Sequence, residues 1–229
     1  MDLADRPWPG TAKIVVWDVE RRVRLGALPV GEQSVSLGAL APEGRTLALV
    51  QQRRVSLWDV ASRMRLAILP GQADDASLAF SPDGSRLAMA TSSPPGRIVL
   101  SDVADPPKAA PLATDGYWER PVFSPDGRWL AVHGVGGIEL WDLGERRRVA
   151  TLPGQGRAVF SPDSRFLAAS AGLAVAGPPQ EVAIWDLGTR ERVASLGAAG
   201  EEGGEALGFS PDSQMLATIG EDGVAPAAL

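Results

Sequence analysis

Residues 123–142 read Phe123-Ser124-Pro125-Asp126-Gly127-Arg128-Trp129-Leu130-Ala131-Val132, then His133-Gly134-Val135-Gly136-Gly137-Ile138-Glu139-Leu140-Trp141-Asp142. After the opening Phe, Ser-Pro-Asp-Gly is a turn. Proline at its second position presets φ near −65°, aspartate tolerates the third, and glycine supplies a left-handed residue. Apolar strands enter and leave it, so it closes a hairpin. The closing Ile-Glu-Leu-Trp-Asp is a strand with apolar groups on both faces, since side chains alternate with period two. Both signals recur along the chain. Trp-Asp stands at Trp17-Asp18, Trp58-Asp59, Trp141-Asp142 and Trp185-Asp186, and a fifth copy, Ser101-Asp102, has Ser for Trp. The steps are 41, 43, 40 and 44 residues. Phe80, Phe123, Phe160 and Phe209 open the turn copies, with Ala41-Pro42-Glu43-Gly44 as a degenerate first one. Five residues after each turn proline comes Leu-Ala: Leu47-Ala48, Leu87-Ala88, Leu130-Ala131, Leu167-Ala168 and Leu216-Ala217.

A fourth strand follows Trp-Asp in Arg24–Leu28, Arg65–Leu69, Arg148–Leu152 and Arg192–Leu196. Each unit is thus four short antiparallel strands at about 42 residues, and no helical periodicity competes. Ser164 and Ser213 replace the turn glycine, at an expected cost of about 1 kcal/mol each if they are left-handed.

Four-stranded units of this period, closed by Trp-Asp, resemble the WD40 family of β-propellers from Lys13 to Thr218. The Ser-Pro-Asp-Gly hairpin also occurs in TolB-like propellers, the second resemblance. Where WD40 units carry Gly-His before the first strand, this chain has Pro70-Gly71-Gln72 and Pro153-Gly154-Gln155, so the hydrogen-bond network of that His is not expected. The resemblance implies an all-β single domain, a propeller of about five four-stranded antiparallel blades. Four full blades span 34–69, 76–113, 119–152 and 156–197. Residues 13–28 offer only third and fourth strands and 205–219 only first and second. The expectation is therefore a fifth blade in which N-terminal strands pair with C-terminal ones, removing the open edge. The alternative is an open fragment of a larger propeller. Glu221-Asp222-Gly223-Val224 looks like another third strand, but Pro226 would interrupt a central ladder.

Composition bounds the function. The 229 residues include no cysteine, which excludes a disulfide scaffold, a thiolate metal site and a cysteine nucleophile. No asparagine is present either, so N-glycosylation is excluded. With 22 basic and 28 acidic residues the net charge is −6, against a nucleic-acid surface. The longest small-apolar stretch, Phe166 to Gly177, is about half a bilayer span, and Met1 to Gly10 lacks the apolar core of a signal peptide. A cytoplasmic protein that binds no membrane is the expectation.

His133 is the only histidine and stands beside no nucleophile motif. The repeated aspartates come one per unit rather than converging on one ion. No enzyme, metal or cofactor is expected. Ten of the 20 arginines lie at or beside fourth strands, where charge blunts an outer edge. The spacing from turn proline to the Trp position is 16, 19, 16 and 23 residues, so the connections between second and third strands vary while the first-to-second turns do not. Recognition is expected on variable loops of a rigid scaffold. That face would carry Trp8, Arg53, Arg54, Asp74, Asp75, Tyr117, Trp118 and His133, the Ala171 to Glu181 loop and the acidic run Glu201 to Glu205. The expected role, as the family resemblance implies, is a non-catalytic scaffold for a protein or peptide. The alternatives are a small-molecule hydrolase or lactonase on a propeller, or a fragment of a larger signalling protein.

Overall fold

The computed structural model describes residues 14–30, 35–70, 73, 76–92, 96–106, 109–153, 156–170, 182–196, 205–220 and 223–228. These form six antiparallel sheets in chain order. The first is a pair, β1 (Ile14–Asp18) and β2 (Val23–Leu28). The second holds β3 (Val35–Leu40), β4 (Thr46–Gln51), β5 (Arg54–Asp59) and β6 (Arg65–Ile68). The third holds β7 (Ala76–Phe80), β8 (Arg86–Thr91), β9 (Gly96–Asp102) and β10 (Ala110–Gly116). The fourth holds β11 (Trp118–Phe123), β12 (Trp129–Gly134), β13 (Gly137–Asp142) and β14 (Arg147–Leu152). In the fifth are β15 (Ala158–Phe160), β16 (Phe166–Ser170), β17 (Val182–Asp186) and β18 (Glu191–Leu196). The sixth has three strands, β19 (Glu205–Phe209), β20 (Met215–Gly220) and β21 (Gly223–Ala228). Within every sheet neighbouring strands are consecutive in the chain.

The turn between first and second strands is locked by its own side chains. In Ser-Pro-Asp the serine hydroxyl donates to the aspartate (Ser81 to Asp83 at 2.6 Å, Ser161 to Asp163 at 2.5 Å). The same Oγ accepts the amide five residues on, Arg86 or Phe166. The aspartate Oδ1 accepts the amide two residues beyond it, Ser85 or Arg165. Ser124–Asp126 and Ser210–Asp212 repeat the arrangement. Ser164 and Ser213 do adopt the left-handed region, at φ 60° and 63°, beside glycines 84 and 127 at 70°.

Leu-Ala explains the stacking. Leu87, Leu130, Leu167 and Leu216 are wholly buried, each facing the preceding sheet. Burial of each is worth about 1.5–3 kcal/mol. The alanine beside it faces the following sheet, as Ala88 and Ala131 do, and its small side admits the next leucine. The tryptophans also face backward. Trp58 packs with Leu28 of the first sheet and Val30 just beyond it, and Trp141 with Ile98 and Leu100 of the third. Five clusters of this kind join the six sheets one to the next, and none of the five joins the sixth sheet to the first.

The expected closure of the ring is therefore corrected. β1 pairs with β2, and the sheet of Glu205–Gly220 gains its third strand from β21, with Ala217 opposite Pro226. Pairing Gly220 with Gly223 closes a far shorter loop than pairing the two chain ends would. β21 occupies the edge of β20 that Ile14–Asp18 would have needed. Pro226 is tolerated because β21 is an edge strand of its sheet. The count is also corrected. Residues 13–28 and 205–219 fall in two different sheets rather than sharing a fifth.

Candidate binding site

First strands of successive sheets lie side by side, β3 by β7, β7 by β11, β11 by β15 and β15 by β19. The inner edges of the sheets therefore face a common axis. The third-to-fourth strand turns sit outside it, each built on the aspartate of Trp-Asp. Asp142 Oδ1 accepts the amides of Gly144 and Glu145, and Asp186 Oδ1 those of Gly188 and Thr189. An arginine from the neighbouring turn pairs with the second oxygen: Arg45 with Asp59 (3.2 Å), Arg128 with Asp142 (3.3 Å) and Arg165 with Asp186 (3.2 Å). The Ser62 amide first, then the Ser62 hydroxyl and Arg45, hold Asp59 down to about 2. These acids are turn caps.

Of the residues expected on the variable face, Arg53 and Arg54 are exposed at the β4–β5 turn. Gln52 and Arg53 there have φ of 46° and 63°, values that two-residue hairpins usually give to Asn and Gly. Tyr117 is 39% exposed, and its hydroxyl donates to Glu119. Trp118 is not a loop aromatic. It opens β11, is 6% exposed and belongs to the core between the third and fourth sheets. Gly116 makes room for it, since a Cβ there would lie 2.3 Å from the indole. Trp8, Asp74, Asp75 and the runs 171–181 and 201–204 lie outside the described residues. The structure brings Tyr117, Trp118 and His133 into one neighbourhood, since Trp118 pairs with Gly134 and Glu119 with His133. Arg53 and Arg54 belong to the second sheet, apart from them.

A cavity of about 650 Å³ opens along the first strands of the fourth, fifth and sixth sheets. Its walls include Phe123, Phe160 and Phe209, with Val122, Val159 and Ile138. Among the described residues, Arg120, Arg157 and His133 are the ionisable groups that line it, and no carboxylate does. Arg120 sits in a bulge of β11, at φ 50° before Pro121, with its amide donating to Ser77 Oγ of the third sheet. Both nitrogens of His133 are buried without a hydrogen-bond partner. Sequence reasoning singled out His133 but missed both arginines. A signal was present: Arg120 and Arg157 each stand three residues before a turn-opening Phe, a slot filled by Leu37, Ser77 and Ala206 in the other units.

Among the described residues no three of His, Asp and Glu are grouped to hold a metal ion. No helix among them is long and apolar enough to cross a membrane. No family model matches the chain, and no curated protein does. Solved structures that match number 1103 chains, so the architecture is widely shared and does not by itself specify an activity. One of them is hydrazine synthase of Kuenenia stuttgartiensis, with a TM-score of 0.61 and 18% identity. The match covers 90% of this chain and 66% of that one, just under two thirds. At that identity the likeness is one of fold, and the chain is an all-β protein with a β-propeller-like stack of antiparallel sheets.

Proposed function

We propose that the chain is a non-catalytic interaction module of the WD40 kind, holding a protein or peptide on the face of its second-to-third strand turns. The Trp-Asp ends of β1, β5, β13 and β17, each capping the turn that follows, support the family reading. Contrast between the two faces supports the binding face. First-to-second connections span five residues in each of the five sheets that have them (41–45, 81–85, 124–128, 161–165 and 210–214). The second and third strands are separated in number by two residues at Gln51/Arg54, Gly134/Gly137 and Gly220/Gly223, by four at Thr91/Gly96 and by eleven at Ser170/Val182. Scaffolds hold one set of turns constant and vary the other where they recognise.

The observation that carries the reading is the β4–β5 turn. Two long side chains, Gln52 and Arg53, occupy left-handed positions at a cost of about 1–2 kcal/mol each. Single arginines in the third-to-fourth strand turns (Arg22, Arg63, Arg146 and Arg190) share this conformation. What marks the β4–β5 turn is two such residues in succession on a two-residue connection, a strain that can position side chains for binding. It lifts Arg53 and Arg54 into solvent on the varied face.

A displayed peptide library selected on the intact protein tests this. Selected peptides are expected to lose about 10-fold or more in affinity for a variant carrying Arg53→Ala, Arg54→Ala and Tyr117→Ala. Affinity for Asp163→Asn, altered on the opposite face, should be unchanged. Selected peptides indifferent to the first variant, or no selectable peptide at all, overturn the reading.

A further inference from the structure

The cavity along β11, β15 and β19 has a chemistry of its own. Its body is apolar and aromatic, and its ionisable lining is basic in a chain whose net charge is −6. Arg120 and Arg157 are both exposed, and neither has an ion-pair partner among the described residues. This contrasts with Arg45, Arg128 and Arg165, which each pair with a turn aspartate. Two arginines in one concave wall, with no carboxylate among the described residues lining it, focus positive potential into it. The bulge in β11 departs from regular strand geometry to present Arg120, and such bulges re-aim side chains beside functional sites. His133 adds two buried nitrogens without partners, an arrangement that costs free energy until something pairs with them. The volume falls within the range of small-ligand sites, about 300–1,000 Å³.

We propose that this cavity binds a carboxylate-bearing ligand with an apolar body. Arg120 and Arg157 hold the carboxylate, the phenylalanines take the body, and His133 supplies a further hydrogen bond. A guanidinium pairs with a carboxylate through two parallel N–H donors, which fixes orientation as well as adding affinity. A free small acid and the C-terminus of a peptide share this chemistry.

NMR titration of the full chain tests it with 3-phenylpropanoate and with 3-phenylpropanamide. A parallel pair is Gly-Gly-Gly-Phe with a free and an amidated C-terminus. The acid should bind about 10-fold or more tightly than its amide. The ring signals of His133, the only histidine, should shift as it binds. Arg120→Gln and Arg157→Gln should each weaken the acid about 10-fold, whereas Arg97→Gln, outside the cavity, should not. Should Arg120→Gln disturb folding through its bulge, Arg157→Gln carries the comparison alone. Binding of the small acid without the free-ended peptide makes the natural ligand a small molecule, and binding of both admits a peptide end. Equal affinity for acid and amide, wild-type affinity in both cavity variants, or no binding of any probe overturns the proposal. The peptide selection on Arg53 and Arg54 is read separately, so either proposal can fail without the other.

Discussion

Ser164 and Ser213 show how this chain offsets a strained residue. Each holds a left-handed φ and is nearly buried, and its Oγ accepts an amide from the preceding sheet: Asp126 N at 2.9 Å and Asp163 N at 3.1 Å. The strain costs about 1–2 kcal/mol and the bond returns about 0.5–1.5. Substitutions should separate the two effects. Ser164→Ala keeps the strain and loses the bond, whereas Ser164→Gly loses both. Urea unfolding should rank glycine above alanine by about 1 kcal/mol, and the reverse order would contradict the account. The tryptophans teach a related lesson. Trp58 donates to Ser56 Oγ and Trp141 to a Glu139 oxygen, each two residues earlier on the same face. Trp185 has Ala183 in that slot, and its indole nitrogen is buried without a partner. Sequence position alone decides which indole is satisfied.

At the scale of the element, the Ser-Pro-Asp turn couples stability to acid. Asp83 is held down to about 2, first by the Ser81 hydroxyl and then by the amide and hydroxyl of Ser85. Asp163 and Asp212 are lowered by the equivalent serines, Ser161 and Ser210. A carboxyl whose folded pKa lies below its unfolded value near 3.8 stabilises the fold above about pH 4. That contribution drains away as pH falls from about 4 towards 2. Ser81→Ala should raise the Asp83 pKa towards the ordinary range in an NMR titration and flatten the acid limb of the stability profile. An unmoved pKa would mean that the serine is not the cause. These turns were legible in the sequence because every determinant lies within five consecutive residues. The outer strands were less so. The fourth strands carry a bulge opposite the step into Trp, skipping Leu25, Leu66, Val149 and Val193. Arginines at those edges were visible, but the bulge that also spoils them for pairing depends on cross-strand register. The cavity was hidden for the same reason. It needs Arg120 turned by a bulge and set beside Arg157 from the next repeat.

Across the whole molecule, each sheet leans mainly on the sheet before and the sheet after it, the first and sixth on one only. Stability should therefore behave as a sum of nearest-neighbour terms. The repeat pattern revealed the sheets but not that the last one completes itself, because Pro226 argues against a third strand there until β21 is seen to pair with β20 at a sheet edge. Deleting residues 1–30 tests the open arrangement. Hydrogen exchange should quicken in β4 and β5, where Leu49 and Trp58 lose the cover of Leu28 and Val30. Protection in β12, β13, β16 and β17 should persist. Loss of protection throughout would contradict an open stack. One more consequence follows from the backward-facing tryptophans. Trp17 belongs to the first sheet and is 59% exposed, whereas Trp58, Trp118, Trp129 and Trp141 are at most 7% exposed. In a Trp8→Phe background, a water-soluble quencher such as iodide should therefore extinguish Trp17 emission preferentially. The protein thus carries an optical tag at one end, able to signal when another surface comes to rest there.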